Sequence, residues 1–108
     1  MEGDNIKMRI YISGPITGQE DTSEDRFFKA QCDIWDAYGV TTEIINPYDI
    51  GKRAAEYAEL THEEFMKISF SLMDICNAVY FLDGWQDSKG CQQEHIYALN
   101  TGMEVLNE

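Results

Sequence analysis

Val79-Tyr-Phe-Leu-Asp-Gly-Trp-Gln-Asp-Ser-Lys-Gly-Cys-Gln-Gln-Glu94 decides the fold. Its first four residues, Val79–Leu82, form a short apolar run of β-formers bounded by turn chemistry, which reads as a buried strand. From residue 90 to Thr101 the apolar residues Ile96, Tyr97 and Leu99 recur at helical spacing and stop at Gly102. A strand that turns directly into a helix is half of a β-α-β unit, and in open parallel sheets ligands bind where strands end and helices begin.

Working outward, Met8–Ser13 is a second run of β-formers that ends in the turn Gly14-Pro15 and continues to Gly18. After the polar stretch Gln19 to Asp25, Phe27, Phe28, Ala30, Gln31, Ile34, Trp35 and Tyr38 follow helical spacing as far as Gly39. Glu43–Asn46 is a short strand ended by Pro47, and residues 49 to 59 have no clear apolar stripe and read as an exposed helical or irregular connection. Thr61-His-Glu-Glu64 fits a capping box opening a helix to about Cys76, and Met103–Leu106 is a last short strand. The β-α-β-α-β-α-β alternation predicts an α/β fold: a flavodoxin-like three-layer sandwich with a short parallel sheet of four or five strands in the order 2-1-3-4. That order brings the loop Ser13–Gly18 against Asp83–Glu94 at the switch point.

Bulk composition narrows the function classes. The 108 residues are expected to form one domain, 1–108, with a core that needs no disulfide. Twenty acidic residues against eight basic ones give a formal charge of −12, which opposes binding to nucleic-acid backbones or anionic membranes. Three cysteines (Cys32, Cys76, Cys91) without paired spacing suggest reduced thiols and a cytoplasmic setting. With no C-x-x-C and two histidines, zinc is not expected, and the chemistry read below needs no metal or organic cofactor. No window approaches the length of a membrane span, and the polar start Met1–Asn5 has no signal-peptide apolar core.

The chemistry concentrates in two loops. Gly14 and Gly18 permit close backbone approach to a ligand and also fit ordinary turns. Ser88, Lys89 and Gly90 stand before a helix whose free N–H groups favour an anion, although Ser88 fits a plain N-cap equally well. Glu94 lies in the first turns of that helix, where the dipole favours its ionised form; its own spacing allows a solvated surface residue or one turned to the sheet edge with Tyr97 and Ala98. Trp85 and Tyr11 suit either the wall of a pocket for a planar ring or the core. His62, inside the capping sequence, reads as structural, and His95, adjacent to Glu94 in sequence, faces elsewhere.

Taken together, Tyr11-Ile-Ser-Gly-Pro-Ile-Thr-Gly18 and Gly84-Trp-x-x-Ser-x-Gly-x-x-x-Glu94 resemble the nucleoside 2-deoxyribosyltransferase-like superfamily, in particular its DUF4406-type branch of small bacterial and phage proteins. The resemblance implies cleavage of an N-glycosidic bond, or deoxyribosyl transfer, on a 2′-deoxynucleoside 5′-monophosphate, with Glu94 as nucleophile. It assigns Tyr11 to positioning Glu94 and Ser13, Gly14, Pro15, Ile16 and Thr17 with Ser88 and Gly90 to substrate. Asp83 is the expected acid–base or base-orienting group. It implies a homo-oligomer, a dimer or larger, because superfamily members complete their pockets across subunits. Two departures stand out: Ser69 occupies the register where the superfamily carries an Asp, with Asp74 more than a turn away, and Thr17 replaces an arginine of the first loop. They motivate an alternative, a non-catalytic module of the same fold that binds or senses a nucleotide. A vestigial cleft in a partner-binding protein is a third reading.

Overall fold

The computed structural model describes residues 8–108; the polar start read as lacking a signal sequence lies outside them. The elements are β1 (Arg9–Ser13), α1 (Glu20–Tyr38), β2 (Glu43–Ile45), α2 (Pro47–Ala55), α3 (His62–Asp74), β3 (Ala78–Phe81), a 3₁₀ turn (Trp85–Asp87), α4 (Lys89–Thr101) and β4 (Glu104–Leu106). The four strands are all parallel in the order β2-β1-β3-β4, a flavodoxin-like sandwich.

Period-two alternation along β1 splits the core into two layers. Ile10 and Ile12 face α1, where Phe27, Ala30 and Ile34 pack with Ala78, Leu82 and Leu106. Tyr11 faces α3 and α4, packed with Met73, Val79, Phe81 and Ala98. Ser13, two residues on from Tyr11, is turned to the same side and is also buried. That face receives Glu94.

Several boundaries differ from the sequence reading, each for a local reason. Helix α1 begins at Glu20, seven residues before Phe27, because its first two turns are polar and mostly solvent-facing, so apolar periodicity cannot register them. Asn46 belongs to α2 rather than β2. Its side chain accepts from the N–H groups of Tyr48 and Asp49 and donates to Gln31 Oε1 at 2.7 Å. With Pro47 at the first helical position, the connection expected as helical or irregular is a defined helix, a fourth beside the three with apolar stripes. At α3 the capping box is present in both directions: Thr61 Oγ1 accepts from Glu64 N at 3.1 Å and Glu64 Oε1 from Thr61 N at 2.8 Å.

The largest revision concerns α4. Its buried residues are Cys91, Glu94 and Ala98, whereas Ile96 and Leu99, whose spacing suggested the core face, are 58% and 59% exposed. The helix is turned so that a carboxylate, not the branched aliphatics, points into the sheet. Gly102, in the left-handed region at φ 76°, closes the helix by donating to Ala98 and Leu99 carbonyls.

Candidate functional site

The carboxyl edge of the sheet is where β1 ends and α2, α3 and α4 begin. A cavity of about 410 Å³ opens there, within the range of small-molecule sites. Its lining comes from β1 and the following loop (Tyr11, Gly14, Ile16, Thr17), from Phe27 of α1, and from Pro47, Tyr48, Gly51, Lys52 and Ala55 of α2. Helix α3 adds His62, Phe65, Met66 and Ser69, and the α4 start adds Ser88, Gly90, Cys91 and Glu94.

Glu94 forms the polar floor. It is 7% exposed, and both carboxylate oxygens are engaged: Tyr11 Oη donates to Oε2 at 2.6 Å and Ser13 Oγ to Oε1 at 2.5 Å. Two hydroxyls reach one carboxylate because residues i and i+2 of a strand share a face. Burial pushes the Glu94 carboxyl up from its ordinary value. The Ser13 and Tyr11 hydroxyls, then the nearby Ser69 hydroxyl and the charge of His62, oppose that shift without cancelling it. Tyr11 moves the same way: burial, then the Glu94 charge beside it, raises its phenol well above the usual range. Tyr11 is therefore a fixed donor that keeps its proton. Cys91 is raised by burial, so it lines the cavity as a neutral thiol.

The loop after β1 is held from beneath. Arg26 Nη2 donates to the Pro15 carbonyl at 2.6 Å and to Ser23 Oγ at 3.1 Å, and its Nε donates to Thr22 Oγ1 at 3.1 Å. Gly14 is needed for packing: a Cβ there would lie 2.5 Å from Leu82 Cδ1 and 3.1 Å from Phe27 Cζ. Gly18 is needed for the turn, at φ 83° with open space around it. Ser88 is the N-cap of α4, accepting from Cys91 N at 3.2 Å. A hydroxyl that accepts there still has its own proton to donate.

Of the residues singled out in the sequence, Tyr11, Gly14, Ile16, Thr17, Ser88, Gly90 and Glu94 line this cavity, and Ser13 stands behind it on Glu94. Pro15 is buried, its carbonyl turned to Arg26. Two residues are placed elsewhere. Trp85 packs on Phe81 and His95, with ring centroids 4.8 and 4.5 Å away, because left-handed Gly84 (φ 87°) turns the chain back onto β3. Asp83 lies in a separate surface groove on the α1 side with Arg26, Lys29, Asp33, Tyr80 and Asn107. Neither reaches the floor on which Glu94 sits.

The aromatic wall is instead Tyr48, stacked on Phe27 with centroids 5.8 Å apart and with Lys52 Nζ 6.0 Å from the Tyr48 centroid. Lys52 also lies 3.9 Å from Glu24. His62, read as structural, is a wall residue whose Nε2 lies 3.1 Å from Gln93 Oε1. Among the described residues no group of three or more His, Cys, Asp or Glu is placed to hold a metal ion, and no helix is long and apolar enough to cross a membrane.

No curated protein and no solved structure matches the chain. A family model described as a domain of unknown function, DUF4406, matches residues 8–107. That span covers every strand and helix described above, and the chain belongs to the DUF4406 family.

Proposed function

We propose that the cavity binds a 2′-deoxynucleoside 5′-monophosphate and cleaves its N-glycosidic bond, with Glu94 attacking C1′ and water or a second base accepting the sugar. The observation that carries this reading is the buried Glu94 carboxylate, fixed by Tyr11 and Ser13 at the floor of a cavity large enough for a small ligand. Burying a carboxylate costs several kcal/mol unless it is compensated, so a core position spent on one calls for a use. A partly desolvated, oriented carboxylate suits a centre that develops oxocarbenium charge as the base departs.

The same geometry suits the likeness to nucleoside 2-deoxyribosyltransferases. Ser88 and the N–H groups opening α4 offer donors for a phosphate, and the Tyr48–Phe27 pair offers a face for a planar base. Lys52 supplies a wall cation where the first loop carries Thr17. The reading includes self-association into a dimer or larger, for which exposed Ile96 and Leu99 on α4 are apolar surface to be covered.

The test is incubation with each 2′-deoxynucleoside and its 5′-monophosphate, following free base by chromatography, with Glu94→Ala in parallel. Base release by the wild type that falls at least ~10²-fold in the variant is expected. Release at equal rates from both proteins overturns the reading. A second reading, a nucleotide-binding module without turnover, is favoured by one observation: Ser69 lines the cavity at the register where the resembled enzymes carry an Asp. A nucleotide-induced rise in Tm without base release would select it.

A further inference from the structure

We propose that His62 is the proton-transfer group of this cavity, acting as general acid to the departing base and then as general base to the incoming water; the inference rests on the glycosidic reading above. Cleaving a bond to a nucleobase requires a proton for the leaving nitrogen, and hydrolysing a glycosyl-enzyme requires removal of one from water. The walls offer few groups for this. Glu94 is committed to the sugar carbon, Tyr11 holds its proton while donating to Glu94, and Cys91 is a buried neutral thiol. Ser69 has no useful acidity, and Asp83 lies in the groove beside α1. Lys52 lies along the Tyr48 ring and near Glu24. Imidazole is the side-chain type that exchanges protons between pH 5 and 8.

The ring is also held in place. His62 opens α3, and a Cβ on Gly90 would stand 3.6 Å from its Cε1, so the two helix starts meet across the cavity. Nε2 faces Gln93 Oε1 at 3.1 Å, and an amide oxygen only accepts. With Nε2–H donating to that oxygen, Nδ1 is the atom that gains or loses a proton. Gln93 directly precedes Glu94, which ties the imidazole to the helix that carries the nucleophile.

The sequence of bonds closes without any further reagent. A Glu94 oxygen bonds to C1′ as the C1′–N bond breaks, and its electron pair goes to the base nitrogen, which takes the proton from the His62 imidazolium. Water then adds to C1′, neutral His62 takes its proton, and Glu94 departs as carboxylate. The net reaction is deoxynucleotide plus water to free base plus 2-deoxyribose 5-phosphate.

The experiment compares two leaving groups in wild type and His62→Gln: the common 2′-deoxynucleoside 5′-monophosphates, whose bases need protonation, and 4-nitrophenyl 2-deoxyribofuranoside 5-phosphate, whose nitrophenolate does not. The readout is kcat/KM, which reports steps up to first-product release. His62→Gln is expected to lose at least ~10²-fold on the nucleotides and less than about threefold on the nitrophenyl substrate. His62 opens a helix at an exposed position, so the variant should fold with a Tm near wild type. An equal loss on both substrates, or none on either, overturns the role of His62 while leaving the glycosidic reading intact. No turnover of either substrate by the wild type removes both.

Discussion

Tyr11→Phe removes one oxygen atom and nothing else from the floor of the cavity. Tyr11 is 1% exposed and donates to Glu94 Oε2 at 2.6 Å, so the phenylalanine ring fills the same space and water cannot readily replace the lost donor. A hydrogen bond to a charged group contributes about 1.5–3 kcal/mol, against about 0.5–1.5 for a neutral pair. In a domain of this size 1 kcal/mol moves Tm by about 4 °C, so the expected loss with Glu94 ionised is about 6–12 °C. The effect must depend on pH. Because burial raises the folded-state value of Glu94 above its unfolded one, wild-type stability falls as pH rises through that folded value. Losing the Tyr11 donor raises it further, so the variant starts to lose stability at the same point and continues over a wider range. The gap between the two proteins is therefore small in acid, where only a neutral hydrogen bond is lost, and opens as pH rises through the wild-type folded value. Thermal unfolding followed by circular dichroism from pH 4 to 8 measures it, with Tyr11→Phe also made on a Glu94→Gln background, where the gap should be small and flat. A gap that is constant with pH, or equally large without the carboxylate, would refute the argument that Tyr11 serves an ionised Glu94.

Gly14→Ala sets a Cβ 2.5 Å from Leu82 Cδ1 and 2.9 Å from Leu82 Cγ, with Phe27 Cζ closing the other side at 3.1 Å. Overpacking of this kind costs about 1–3 kcal/mol, so Tm should fall by about 4–12 °C; a fall under 1 °C in a thermal melt would show that Leu82 simply moves aside. Multi-angle light scattering at micromolar concentration should give the mass of a dimer or larger, reduced toward one chain by Ile96→Glu with Leu99→Glu; a wild-type monomer mass removes the self-association.

What could be read in the sequence depended on whether a residue's environment follows from its neighbours in the chain. The alternation of short apolar runs with helical periods gave the parallel sheet, and its order set the loop after Ser13 beside the turn after Leu82, as found. The Thr61 capping box was legible because it is local chemistry. The orientation of α4 was not, because burying Glu94 beside Cys91 and Ala98 leaves its core face less apolar than its solvent face. Periodicity alone picks Ile96 and Leu99 in such a helix. Helix α2 escaped for a related reason: Pro47, Tyr48, Gly51 and Ala55 share one face at helical spacing, but proline, glycine and alanine mark an apolar face only weakly, and that face lines a cavity.

One signal for His62 was nevertheless present. In a parallel sheet each crossover helix runs antiparallel to the strands, so every helix that follows a strand starts at the same carboxyl edge. Pro47 and Lys89 with Gly90 open two such helices, after β2 and β3; α3 follows α2 instead, but it leads back into β3, so its first residue, His62, stands at that edge as well. A histidine at the first position of α3 was thus bound to face the same edge as the start of α4, whatever its role in the cap. The core follows a different rule there. Apolar packing alone would be better served by an aliphatic residue at position 94 and by phenylalanine at 11, yet the chain carries a carboxylate and two hydroxyls whose hydrogen bonds only partly offset its desolvation. The fold gives up stability for the carboxylate on its floor, and that is where a physical reading of the chain looks for its chemistry.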